Sequence, residues 1–169
     1  MRAILFVEPL GGIGDVVIAL GAIQALGRSH NRARLTVLTF APGGELLEGD
    51  PLIHEVIYAE RAAPLQAFVE LLARRQFDLI VSDTCYEDID RLISDQDRTC
   101  VVTNLWRTPP PDERVGERFI RILLSEGWIT PEAIASPRLT LSTTERRGAR
   151  TFSDVTRKPP VRLPFYVQM

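Results

Sequence analysis

Short apolar runs alternate with helical periodicities along the chain. Residues 3–7 form a continuous β-rich run, the pattern of a strand buried on both faces. Residues 15–26 then place Val16, Leu20, Ile23 and Leu26, with Val17, at helical spacing, and Gly27 followed by SHNRA predicts the stop. A second strand is expected at 34–40 (RLTVLTF), a short helix between turns at 42–51, and a third strand at 54–58 (HEVIY). Residues 65–75 set Leu65, Phe68, Val69 and Leu72 on one helical face. A fourth strand at 78–82 (DLIVS), a short acidic helix at 87–93 and a short fifth strand at 100–103 (CVVT) follow. Pro109, Pro110 and Pro111 cannot lie in a central strand and mark a stop. Asp112 is the expected N-cap of a helix at 113–126 that carries Val115, Phe119, Ile122 and Leu123 on one stripe. Thr130 and Pro131 signal another helix start. Alternating strands and helices imply parallel βαβ units in an α/β, Rossmann-like doubly wound sheet. In such a sheet the binding crevice lies beyond the carboxyl ends of the strands, and the loop after the first strand opens onto it.

Composition narrows the function classes. A chain of 169 residues suits one domain, or one with a small appendage, and buries roughly 70% of its unfolded surface. The formal charge of −2 offers no electrostatic case for nucleic acid. Cys85 and Cys100 form no CxxC pair, and His30 and His54 stand apart, so a metal site has no sequence support and a reducing cytoplasm is the expected compartment. The opening MRAILFVEPLGG reads as a strand and not as a signal peptide, because its apolar run is short and ends in an acid and a proline. No apolar stretch approaches the roughly 20 residues of a membrane span.

The candidate chemistry sits in LGGIGDVV, residues 10–17. A dinucleotide fingerprint needs a small residue where Val17 stands and an acid at the end of the second strand, which here ends LTF. A phosphate-binding P-loop needs Gly-Lys-Ser/Thr, which is absent. Asp15 would also place a carboxylate where a pyrophosphate wants bare N–H groups. What remains is a tight turn, with glycines that permit positive φ and close approach, delivering a carboxylate to a helix start. Two readings of Asp15 stay open. One is a first-turn acid that stabilises the helix by roughly 0.5–2 kcal/mol. The other is a general base aimed into the crevice, suited to a hydroxyl that becomes acidic as it attacks an anomeric carbon.

The segment 2–59, from RAILFVEPLGGIGDVV through ARLTVLT and LLEGDP to HEVIYA, resembles the N-terminal domain of heptosyltransferase-like enzymes, glycosyltransferase family 9. ARRQFDLIVSD and ERFIRILLSEGW are similar to later segments of the same domain, so the resemblance spans 1–141. It implies the N-terminal half of a GT-B glycosyltransferase, in which two Rossmann-like domains face across a cleft. By the resemblance Asp15 is the catalytic base, and Gly11, Gly12, Ile13 and Gly14 shape the acceptor side. The resemblance further implies a glycan or lipopolysaccharide-type acceptor near the inner-membrane surface, a nucleotide-sugar donor of the ADP-heptose kind held by the other domain, and a transfer that inverts the anomeric centre with neither metal nor cofactor.

The sequence also departs from the family. Asp83 ends the fourth strand but is followed by TCYEDID where relatives carry DLQGN-like residues. It stands as a second acceptor contact or as a turn-capping acid. Arg61, Arg74, Arg75 and Arg107 are candidate acceptor-side cations by count only, or members of a solvated face, and Trp106 is a sugar-stacking or packing residue. Residues 142–169 are expected to be a helix and a truncated linker toward an absent donor domain, because Pro159, Pro160 and Pro164 forbid a long strand and the last nine residues cannot hold a donor domain. The chain alone is therefore expected to lack transferase activity, and an uncovered domain face favours homo-oligomers. The alternative is a non-catalytic Rossmann-like binding or regulatory module.

Overall fold

The computed structural model describes residues 1–10, 12–83, 87–95, 100–102, 105, 112–141 and 145–146. Gly11, Cys85, Trp106, Arg107 and nearly all of 142–169 lie outside the described residues, and so do the expectations placed on them.

Five parallel strands form one sheet: β1 (Ala3–Glu8), β2 (Arg34–Thr39), β3 (Glu55–Tyr58), β4 (Leu79–Ser82) and β5 (Cys100–Val102). Their spatial order is β3-β2-β1-β4-β5, the doubly wound arrangement expected from the alternating pattern. The chain winds outward from β1 to β3, then returns to the other side of β1 for β4. The strand order therefore reverses between β1 and β4, the place at the carboxyl ends where open α/β sheets bind their ligands.

Alternate strand residues face opposite layers. Ile4, Phe6, Leu35, Val37, Leu79 and Val81 pack beneath α1 (Ile13–Ser29) and α4 (Val115–Ser125). Leu5, Val7, Leu38 and Ile80 pack with Phe68 and Leu71 of α2 (Pro64–Arg74) and Ile89 and Ile93 of α3 (Glu87–Ser94). Phe6, Phe68 and Phe119 are fully buried, each contributing about 1.5–3 kcal/mol of transfer free energy.

Several boundaries differ from the sequence expectation for identifiable reasons. Gly27 does not stop α1, which runs on to Ser29. A Cβ on Gly27 would lie 2.8 Å from Leu52 Cβ, so the glycine serves a close crossing and not a cap. The segment after β2 forms a 3-10 turn at Gly43–Leu47, entered through a cis Ala41–Pro42 bond. Asp112 is not the N-cap of α4. That position belongs to Arg114, and Glu113 folds onto the helix to bond Arg121 Nε at 2.5 Å and lie 3.6 Å from Arg118 Nε. Gly127, at φ +78, then ends α4 in the left-handed region, with Trp128 N–H donating to Leu123 O at 2.8 Å. Pro131 opens only a 3-10 turn, Pro131–Ala133. Val17 and Val69, both expected on apolar faces, are 47% and 43% exposed.

A polar lock ties the segment after α4 to the back of α1. Buried Gln24 donates to Asp50 Oδ2 at 2.7 Å and to Arg138 O at 2.6 Å, and accepts from Arg138 N–H at 3.1 Å. Among the described residues no helix is long and apolar enough to cross a membrane.

Candidate active site at the strand reversal

The site is built where β1 ends and α1 begins. Gly12 is the N-cap of α1, with φ −95 and ψ 158, which is extended backbone open to any residue. The sequence expectation of positive φ is corrected here: the reason for glycine at position 12 is space. A Cβ there would sit 2.8 Å from Asp15 Oδ2. Without that Cβ, Asp15 folds back across the first turn and accepts the Gly12 N–H at 3.0 Å. This is one half of a capping box, and it fixes the carboxylate at the positive end of the helix.

The turn is held from the side by the 3-10 segment. A Cβ on Gly43 would come 2.9 Å from Gly12 O and 2.8 Å from Val16 Cγ2. Gly43 is therefore a wall of the site that sequence reading passed over. Gly14 and Ile13 lie at the exposed start of α1, and a Cβ on Gly14 meets open space among the described residues.

Beneath this turn lies a row of polar side chains that continues the apolar row of the α1 face. Ile4 and Phe6 lead to Glu8 on β1, Leu35 and Val37 lead to Thr39 on β2, and Leu79 and Val81 lead to Asp83 after β4. Glu8 pairs in register with Thr39, and Val7 with Ser82. Asp83 N–H extends the β4 ladder by donating to Val7 O at 3.1 Å. Glu8 and Thr39 are 0% exposed and Asp83 is 1% exposed. Thr39 Oγ1 donates to Glu8 Oε2 at 2.5 Å. Asp83 Oδ1 is buried with no hydrogen-bond partner among the described residues. Burial raises the Asp83 carboxyl well above the ordinary aspartate range, and the negative charges of Glu8 and Asp15 push it further the same way.

The structure thus brings Gly12, Ile13, Gly14, Asp15 and Asp83 to one place, and adds Glu8, Thr39 and Gly43. Glu8 was legible as the next alternate position after Ile4 and Phe6. It drew no notice because the acid-proline pair was used only to exclude a signal peptide. Of the arginines counted for the acceptor side, Arg107 lies outside the described residues, and Arg74 and Arg75 lie elsewhere. Arg75 is bonded to Glu55, and Arg74 lies 3.9 Å from Glu70. Both line an open cavity of about 650 Å³ at the opposite, amino edge of the sheet, with Arg34 and His54. Arg61 stacks 5.4 Å over Phe40. Among the described residues no cluster of histidine, cysteine and carboxylate side chains is arranged to hold a metal ion.

Neither a protein-family model nor a curated protein matches this chain. Solved structures do. A glycosyl transferase family 9 structure from Veillonella parvula superposes with a TM-score of 0.71 at 14% identity, over 91% of this chain and 49% of the other. Escherichia coli ADP-heptose LPS heptosyltransferase II gives 0.60 at 19% identity, over 90% and 51%. E. coli heptosyltransferase WaaC with ADP gives 0.52 at 11% identity, over 89% and 53%. The fold of this chain is that of the family 9 structures its sequence resembles, an α/β Rossmann-like sheet that matches part of a GT-B glycosyltransferase. The chain spans about half the length of these proteins.

Proposed function

We propose that this chain is the acceptor-side half of an inverting glycosyltransferase, with Asp15 as the general base. The observation that carries the reading is the carboxylate of Asp15 held at the helix start beside the strand reversal, in a fold shared with heptosyltransferase structures. Asp15 takes the proton of an acceptor hydroxyl while that oxygen forms a bond to the anomeric carbon. On the opposite face the bond from that carbon to the donor's phosphate oxygen breaks, and the nucleoside diphosphate leaves with the electron pair. The configuration inverts because attack and departure lie on opposite faces. The Gly12 N–H commits one carboxylate oxygen to the backbone and leaves the second to receive the proton. Gly14, with open space where a side chain would stand, lets the acceptor sugar approach the turn. Asp83 is a second acceptor-side residue. The acceptor is a glycan or lipopolysaccharide-type molecule at the inner-membrane surface. The donor is a nucleotide-sugar of the ADP-heptose class, carried by a second Rossmann-like domain in a cytoplasmic enzyme. The chain alone is inactive.

Calorimetry tests this directly on the chain. A lipopolysaccharide core oligosaccharide is expected to bind saturably and ADP-heptose is not, with no transfer product when both are present. Turnover by the chain alone, or binding of ADP-heptose in place of the oligosaccharide, contradicts the reading.

One observation favours a second reading, a non-catalytic binding module. The bond between Asp15 and its own helix N-cap is what a purely structural first-turn acid would make. Asp15→Asn separates the two. In the complete enzyme a general base loses about 10²–10⁴-fold in kcat, whereas a capping acid loses stability alone.

A further inference from the structure

The amino edge of the sheet holds the cavity of about 650 Å³, and the chemistry at Asp15 makes no use of it. Its floor is Ala3 of β1, Thr36 of β2 and Phe77 just before β4. Leu35 and Val37 face α1, so Arg34 and Thr36, at the alternate positions, stand on the α2 side. Glu55 is the register partner of Thr36. His54 is docked one residue earlier, its N–H donating to Leu35 O at 2.8 Å. α2 ends at Arg74, and the small side chain of Ala3 leaves the space beyond that end open.

Most charges at this edge are already matched. Glu55 is the one acid in the lining, and Arg75 takes it in a two-point bond, with the Nη2 arm at 3.2 Å. That bond, with the charges of Arg75, His54 and Arg34, holds the Glu55 carboxyl below the usual carboxylate range. Arg74 stands in the last turn of α2, where it offsets the partial negative charge of the helix end, and lies 3.9 Å from Glu70. Asp78 accepts the backbone N–H groups of Arg2 and Ala3. Three side chains are left over. Arg34 and His54 line the cavity and make no side-chain hydrogen bond or ion pair among the described residues. Thr36 is 3% exposed, and its hydroxyl has no hydrogen-bond partner among the described residues. A hydroxyl set so deep without a partner is costly unless something in the cavity meets it.

We propose that this cavity binds the phosphate group of a soluble small molecule, held by Arg34, Thr36 and His54 at the starts of β2 and β3. The three donors differ in kind: a guanidinium fork, a single hydroxyl and a ring N–H. Together they offer bonds to separate oxygens of one tetrahedral group, and the uncommitted guanidinium makes its share of them charge-assisted. The Glu55–Arg75 pair closes one wall without adding net charge. The volume lies within the roughly 300–1,000 Å³ of small-molecule sites and exceeds what a bare phosphate fills. The organic part of the ligand lies against Ala3 and Phe77. This site is at the opposite end of the strands from the glycine turn, so the two are read by separate residues.

The proposal stands whether or not the chain serves sugar transfer, and its test uses no activity. The full chain is titrated at fixed ionic strength with inorganic phosphate and then with phenyl phosphate, and the amide resonances are followed by NMR. Both are expected to give saturable shifts at Arg34, Thr36, His54 and Glu55, with phenyl phosphate the tighter of the two. Arg34→Gln is expected to weaken phenyl phosphate about tenfold, and Thr36→Val about threefold. Arg32→Gln, which removes an exposed cation of the preceding turn outside the cavity, is expected to leave the affinity unchanged. Arg34 is exposed, so its variant is expected to fold. Should Thr36→Val fail to fold, Thr36→Ala takes its place, and Thr36→Ser is expected to bind as the parent does. The proposal is overturned by an absence of saturable shifts at these residues, or by an affinity unmoved at both Arg34 and Thr36. A loss at Arg32→Gln equal to that at Arg34→Gln overturns it too, as do shifts that appear only with vesicles containing phosphatidic acid.

Discussion

Asp78 and Asp83 stand at the two ends of one strand, and they live in opposite worlds. Asp78, before β4, is at the exposed amino edge of the sheet. Its carboxylate accepts the backbone N–H groups of Arg2 and Ala3, the second at 2.9 Å, and these bonds lower its pKa. Asp83, after β4, is buried at the carboxyl edge beside Glu8 and Asp15, with an oxygen that finds no hydrogen-bond partner among the described residues and its pKa raised. The amino edge is finished in the ordinary way, with acids on backbone donors and arginines on glutamates. The carboxyl edge holds like charges together, which folding alone does not favour. Strongly shifted carboxyl groups cluster at functional sites, and that of Asp83 lies at the reversal of strand order, which supports placing the proposed site there.

The sharpest way to break this contrast is at the wall of the turn. Gly43→Val forces a side chain against Gly12 O and Val16, and is expected to cost about 1–3 kcal/mol of overpacking. Chemical denaturation measures it. Gly14→Ala, two positions after Gly12 but facing open space, is expected to be neutral or stabilising by up to about 1 kcal/mol. Equal losses at both positions would mean that the turn is not held by close packing.

Thr39→Val keeps the shape but removes the hydroxyl that Glu8 accepts, and a loss of about 1–3 kcal/mol is expected at neutral pH. A loss well under this range would show Glu8 to be solvated and the buried row to be open.

The two aspartates are also expected to tilt the pH profile in opposite directions. Asp83 binds its proton more tightly folded than unfolded. Its contribution is complete below the ordinary aspartate value of 3.8 and is lost as pH rises through the raised folded value. Asp78 does the reverse: its contribution is present above 3.8 and is lost as pH falls through the lowered folded value. Melting curves of Asp83→Asn and Asp78→Asn across pH check both signs. The smallest change is expected for Asp78→Asn near neutrality, where an exposed substitution alters stability by about 0.5 kcal/mol or less.

The strands and their parallel, doubly wound character were legible because each is a compact apolar run set between helical periods, and a parallel sheet buried on both faces leaves that trace; their spatial order comes from the structure. Asp15 drew attention because an acid at that place argues against a phosphate-binding loop, and its position in the first turn of α1 could be read from the helical period that follows it. Its neighbours were harder to see. Glu8, Thr39 and Asp83 lie in three separate segments, and only the register of three strands brings them into one row. Gly43 is one of two adjacent glycines in a segment read as a short helix, and its closeness to Gly12 depends on how that segment folds back over α1. Gly27 and Asp112 misled for a related reason. A glycine after a helical period reads as a stop until its crossing partner is known. An acid before a helix reads as a cap until Glu113, beside it, is seen to fold onto Arg118 and Arg121.

The account rests on the carboxyl edge of the sheet being the place where a sugar acceptor binds. Amide chemical-shift mapping of the full chain with a lipopolysaccharide core oligosaccharide tests that most directly. The account expects saturable shifts centred on Gly12 to Val16 and reaching Asp83. Shifts centred instead on Arg34, His54 and Arg75 at the amino edge, or no shifts at any residue, would contradict it.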